Sequence, residues 1–92
     1  MRLLQTPTFK RTARRLHKQQ KQELDEAVRA IAADPSVGEV KTGDLAGVRV
    51  FKFNINKRLT LLAYELHEAE GNIKLLALGS HENFYRDLKR RS

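Results

Sequence analysis

Residues 48–66 read VRVFKFNINKRLTLLAYEL, and their periodicity decides what kind of fold this chain can adopt. In the first run, VRVFKFN, Phe51 and Phe53 point one way and Lys52 and Asn54 the other, as successive residues of a strand must. The two phenylalanines are the natural core pair, which directs Lys52 to the opposite face of a sheet. The second run, LTLLAYEL, follows after NINKR, a connection short enough for an antiparallel hairpin. There Thr60, Leu62, Tyr64 and Leu66 share one side and Leu59, Leu61 and Ala63 the other. Both sides are largely apolar, so alternation does not orient this strand.

Working outward, NIKLLAL (72–78) is a further strand, joined to the hairpin by HEAEGN. Upstream, VGEVKTGDLAG (37–47) carries glycines and an aspartate and reads as a loop. The first residues, MRLLQ, supply a short strand. Thr6 can cap a following helix, and Pro7 is tolerated in its first turn. Phe9, Ala13 and Leu16 share one helical face, and Leu24, Ala27, Val28, Ile31 and Ala32 form a stronger stripe that DPS (34–36) stops. Gln20 fits the stripe spacing well enough for one long helix, but a hairpin of two helices buries more apolar surface and is the expected form. After Gly79, SHENFYRDLKR (80–90) reads as a short C-terminal helix. The order is β-α-α-β-β-β-α: an α+β fold, with a small antiparallel sheet, an N-terminal helical hairpin on one face and a short C-terminal helix. No remaining element is expected to be long enough to cover the other face, which leaves Lys52 on an open, basic surface. Residues 1–92 are expected to form a single domain.

The composition narrows the function classes. Hydrophobic residues make up 40% and charged residues 32% of the 92, the balance of a globular chain. No apolar run approaches a membrane span, and the apolar stretch at the N-terminus is too short for a secretion signal, so the expected location is cytoplasmic. There is no cysteine, which removes disulfides, thiolate metal sites and cysteine nucleophiles. Lys and Arg number 18 against 11 Asp and Glu, a net charge of +7. Before Glu23 there is no acidic residue, whereas Arg2, Lys10, Arg11, Arg14, Arg15, Lys18 and Lys21 have already appeared; Arg86, Lys89, Arg90 and Arg91 form a second cluster. Such a field favours polyanions, because each neutralised phosphate releases counterions; a solvated helix face or an acidic protein partner is the plainer alternative.

The element order, DLAGVRVFKFN leading into RLTLLAYEL, and LALGSHENFYRDLKR at the end together resemble the RelE/ParE superfamily of bacterial type II toxin–antitoxin toxins. The more specific parts are the turn at residues 45–47, Tyr64 late in its strand, and Gly79, Ser80 and His81 followed by Tyr85. The resemblance covers nearly the whole chain. It implies one of two activities. RelE-like members enter the ribosomal A site and cut mRNA there without a metal, which halts translation; ParE-like members inhibit DNA gyrase and are not nucleases. Both are neutralised by a cognate antitoxin, and operator DNA is met only through the antitoxin complex. The RelE-like branch is the expectation, with ribosome and mRNA as the further partners and no membrane.

Metal-free RNA cleavage needs a base for the ribose 2′-OH, cations for the phosphorane and an acid for the leaving oxygen. His81 titrates near neutrality and lies where some RelE-like toxins carry a catalytic histidine. The alternative is a helix N-terminal residue bonding nearby backbone. Tyr85, one helical turn later, resembles the aromatic on which these toxins stack a base; adjacent Phe84 is expected in the core, because neighbouring helical positions diverge by about 100°. Lys52 matches a strand position where relatives place a catalytic lysine or histidine, while Asn54 stands where some have a second basic residue. The expected catalytic set is His81, Tyr85 and Lys52. Arg49, Lys57, Arg58 and Arg86 are expected to bind RNA or assist; Arg49 could equally pair with Glu39 or Asp44. One departure stands out: the best-known ribonucleases of the superfamily carry an arginine in the third strand, and Leu61 is nearest that position here. Arg58 or Arg86 then reaches in, or the protein cuts differently, or it does not cut. His17, His67 and His81 fall in separate elements without HxH or HExxH spacing, so neither a metal nor another cofactor is expected.

Overall fold

The computed structural model describes residues 1–80, 84–86 and 88. The elements are β1 (Arg2–Gln5), α1 (Pro7–Arg14), α2 (Lys18–Ala33), β2 (Glu39–Val40), β3 (Arg49–Ile55), β4 (Arg58–His67) and β5 (Asn72–Gly79). Residues 84–86 and 88 are helical, and the Phe84 N–H donates to the Ser80 carbonyl at 3.0 Å, the spacing of an α-helical turn. The α+β class and each expected element stand, but a further strand, β2, lies between α2 and β3, and the sheet is mixed rather than wholly antiparallel.

The five strands lie in the order β1-β5-β4-β3-β2. Strands β2 to β5 are antiparallel to their neighbours, but β1 pairs with β5 in parallel, Arg2 opposite Asn72 and Gln5 opposite Leu75. Parallel pairing requires a long crossover, here supplied by the helices and the rest of the sheet. The segment expected to be all loop holds the two-residue β2, too short to show alternation.

Helix α1 starts where Thr6 and Pro7 place it: the Thr6 hydroxyl accepts the Phe9 N–H at 3.1 Å and donates to the Leu76 carbonyl at 2.6 Å. That second bond has a reason. The β4–β5 register shifts between Ala63, opposite Ala77, and Tyr64, opposite Leu75, so Leu76 is an extra residue with no counterpart. Its carbonyl finds the cap of α1 instead. The helical hairpin is also real: α2 begins after His17, whose N–H donates to Gln20 Oε1 at 2.9 Å.

The sheet has two apolar faces. On the helical-hairpin side Phe9, Leu24 and Ile31 pack on Leu62, Tyr64, Ile73 and Leu75, with Phe51 and Phe53 half-buried beside them. On the other side Val48, Val50, Leu61, Ala63, Leu76 and Ala77 pack against Phe84 and Leu88. Strand β4 is therefore covered from both sides, which is why its sequence does not alternate. The expectation that nothing covers the second face is corrected here. Burying a phenylalanine removes enough apolar surface to contribute about 1.5–3 kcal/mol, so a short helical segment can hold this position. The cover is partial, since Lys52, Asn54 and Leu59 remain exposed.

The β3–β4 hairpin closes through Asn56 and Lys57, whose φ angles of 52° and 64° are both left-handed, between the paired Ile55 and Arg58. This two-residue geometry matches the right-handed twist of the strands. The Asn56 N–H donates to Glu23 Oε2 at 2.9 Å, tying the hairpin to α2.

Candidate nucleic-acid interface on the half-covered sheet face

The side chains of alternate β3 residues separate the expected site into two groups. Val48 and Val50 belong to the C-terminal face, so Lys52 does too, and it stands opposite Leu61 of β4. Tyr85 reaches the same face, packed against that core with Phe84 edge-on, ring centroids 5.1 Å apart and planes at 86°. Phe84 is buried and Tyr85 half-buried, the division expected of the pair.

A residue not anticipated completes this cluster. Lys41 Nζ lies 5.7 Å from the centre of the Tyr85 ring and 3.1 Å from Glu39 Oε1. Glu39 pairs with Val50, and the Lys41 N–H donates to the Val48 carbonyl at 2.9 Å, so the strand spacing puts both side chains on the C-terminal face. Glu39 is held below the usual carboxylate range by its hydrogen bond to Lys41, then by the charges of Lys41 and Lys52. Lys41 is held above the usual lysine range by its hydrogen bond to Glu39, then by one to Tyr85. Glu39, Lys41, Lys52 and Tyr85 thus form one electrostatic neighbourhood. The signal available in the sequence was the i, i+2 spacing of an acid and a base, legible only once β2 is known to be a strand.

Arg49 is elsewhere. It faces the helical-hairpin side opposite Tyr64, and its Nη1 donates to the Gly38 carbonyl at 3.5 Å. Glu39, one of its expected acid partners, is engaged by Lys41. Lys57 occupies the hairpin tip. Arg58 is exposed beside a hollow of about 460 Å³ that Leu16, His17 and Ser80 help to line. Arg86 is exposed on the C-terminal helical segment. His81 lies outside the described residues. Leu61, nearest the position where the resemblance implies an arginine, is fully buried.

A groove of about 550 Å³ lies on the helical-hairpin side of the sheet, floored by Leu3, Phe9, Leu24 and Leu75 and edged by Lys10, Arg14 and Lys21. The Lys52–Tyr85 cluster is not in this groove.

Tyr64 has a structural task. Its buried hydroxyl donates to the Pro35 carbonyl at 2.6 Å and accepts the Gly38 N–H at 2.9 Å, latching β4 to the α2–β2 connection. Burial pushes its phenol up from the ordinary value. His67 meets Glu65 at 3.1 Å, and among the described residues no group of three or more His, Asp or Glu could hold a metal ion. Among them, too, no helix is long and apolar enough to cross a membrane.

The fold has close counterparts. The structure of an E. coli toxin RelE double mutant in the free state superposes with a TM-score of 0.75 at 12% identity, covering 98% of this chain and 90% of that one. The intact E. coli RelBE toxin–antitoxin complex gives 0.72 at 13% identity, over 86% of this chain and 94% of that one. No curated protein matches the chain. The sequence pattern of the ParE-like toxins of type II bacterial toxin–antitoxin systems matches residues 3–89. The chain therefore belongs to this toxin family, within the RelE/ParE superfamily.

Proposed function

We propose that this toxin is a ribosome-dependent, metal-independent endoribonuclease that cuts mRNA in the A site and so inhibits translation. The observation that carries the reading is the convergence of Lys52, Lys41 and Tyr85 on one half-covered face of the sheet. In-line attack of a ribose 2′-OH on its phosphorus concentrates negative charge on the non-bridging oxygens. Fixed ammonium groups stabilise that charge most where protein has replaced water. Lys52 supplies such a cation on an exposed strand position, and Tyr85 offers a ring for a base or a phenol for proton transfer. His81, four residues before Tyr85, is the proton-transfer partner in this reading. The basic groups of α1 and α2, together with Lys57, Arg58 and Arg86, supply contacts to phosphate, which position RNA without reading its sequence. Arg49, on the opposite face, serves as a phosphate contact away from the reacting centre. The cognate antitoxin is the neutralising partner, and operator DNA is met only in its complex.

A second reading has its own support: the matching family is described as ParE-like, and buried Leu61 stands nearest the position where the resemblance leads one to expect an arginine. Under it the protein inhibits DNA gyrase and cuts nothing. The two separate by mapping new 5′ ends on one defined mRNA, free and loaded on ribosomes. Cuts confined to the A-site codon of the ribosome-bound message support the nuclease. An intact message in both samples, with inhibition of gyrase supercoiling, supports the alternative.

A further inference from the structure

We propose that Lys41, oriented by Glu39, is a positioning residue for Tyr85: its ammonium lies over the ring and holds it in the attitude in which Tyr85 meets RNA. The inference rests on the nuclease reading and assigns a role to a residue outside the expected catalytic set.

The geometry supplies the argument. Tyr85 sits at the margin of the C-terminal face, where Phe84 touches it edge-on at 5.1 Å. Tyr85 is half-buried against the core of that face, so its ring keeps an accessible side. Lys41 adds a contact of another kind, with Nζ 5.7 Å from the ring centre. A cation is attracted to the negative face of an aromatic ring, so it favours one ring orientation. Lys41 is itself held at both ends. Its backbone N–H donates to Val48, a residue of the core that Phe84 joins, and its ammonium is 3.1 Å from Glu39. Its side chain is only 21% exposed, whereas an edge lysine without a task extends into solvent. Glu39 has a second effect, because its charge interacts with both Lys41 and Lys52 and offsets their repulsion on one face.

The test is single-turnover cleavage of ribosome-loaded mRNA by the wild type, Lys41→Met, Lys41→Arg, Tyr85→Ala and the double variant Lys41→Met/Tyr85→Ala. Thermal unfolding is measured on each. Lys41→Met is expected to slow cleavage at saturating ribosomes by about ten- to a hundredfold, the cost of misplacing a reacting group. The half-saturating ribosome concentration and Tm should not change. Lys41→Arg should restore most of the rate, since guanidinium also stacks on aromatic faces. In the Tyr85→Ala background, Lys41→Met should change nothing further, because a residue acting through another has no separate effect once the other is gone. Wild-type rates in Lys41→Met, or the same fold loss with and without Tyr85, would overturn the inference while leaving the nuclease reading intact. Failure of the wild type itself to cut would overturn both.

Discussion

Gly38 and Tyr64 fit each other so closely that neither can be enlarged. The Gly38 N–H donates to the Tyr64 hydroxyl at 2.9 Å, and a Cβ on Gly38 would stand 2.5 Å from that oxygen and 2.8 Å from Cε1 of the ring. The φ of Gly38 is −77°, which any residue adopts, so space and not backbone freedom requires glycine here. Gly38→Ala is expected to destabilise the fold by about 1–3 kcal/mol through overpacking. Tyr64→Phe should cost a similar ~1–3 kcal/mol, because it strands the Gly38 N–H and the Pro35 carbonyl. Chemical denaturation of both variants measures this; unchanged midpoints would mean that the α2–β2 connection shifts freely.

Phe84 and Tyr85 should separate cleanly by what they lose. Phe84 is 1% exposed in the core of the C-terminal face, and Phe84→Ala is expected to cost about 3–5 kcal/mol. That is a large share of the ~5–15 kcal/mol that holds a domain together. Tyr85→Ala should lower stability much less and, under the nuclease reading, slow cleavage by about 100- to 10,000-fold, leaving a residual rate that a single-turnover assay still reads. Comparing melting curves with toxicity for the two variants decides between these roles.

Lys52→Met offers the complementary case. Lys52 is exposed, so Tm should move little. Loss of a charge-stabilising cation should slow cleavage by about 100- to 1,000-fold in a single-turnover assay. A wild-type rate would remove Lys52 from the site.

Lys57 holds a left-handed conformation, φ 64°, in a turn position that glycine adopts without strain. Lys57→Gly is therefore expected to stabilise the fold, by up to about 1 kcal/mol. If the lysine meets a phosphate, the same change should reduce the salt dependence of ribosome binding by roughly one counterion. A variant that gains stability and keeps the full salt slope would assign Lys57 no RNA contact.

Asp34 gives the fold a dependence on acid. Its Oδ1 accepts the Ser36 hydroxyl at 2.6 Å and the Ser36 N–H at 3.1 Å, and these bonds lower its pKa below the ordinary 3.8. A depressed folded-state value means that the unfolded chain binds the proton first. The contribution is fully present above pH 3.8 and disappears as pH falls through the lowered value. Asp34→Asn should flatten that part of the stability–pH profile, which acid titration followed by circular dichroism would detect.

What the sequence determined by itself is local. Thr6 and Pro7 start a helix, the stripe from Leu24 to Ile31 sets its buried face, and the runs in residues 48–78 form strands, because caps and periodicity act over a few residues. The division of Phe84 from Tyr85 was also legible, since a helix separates neighbours by angle. The tertiary structure alone decided the rest. The two-residue β2 carries no period, so nothing local announces that Glu39 and Lys41 share a face with Lys52. The extra Leu76 in β5 has meaning only against its partner strand and the Thr6 hydroxyl that takes up its carbonyl. Strand β4, apolar on both sides, could not say which element covers which side until Phe84 and Leu88 packed against one and the helical hairpin against the other. Lys41 reached Tyr85 in the same way, through contacts between residues distant in the chain, which no spacing along it encodes.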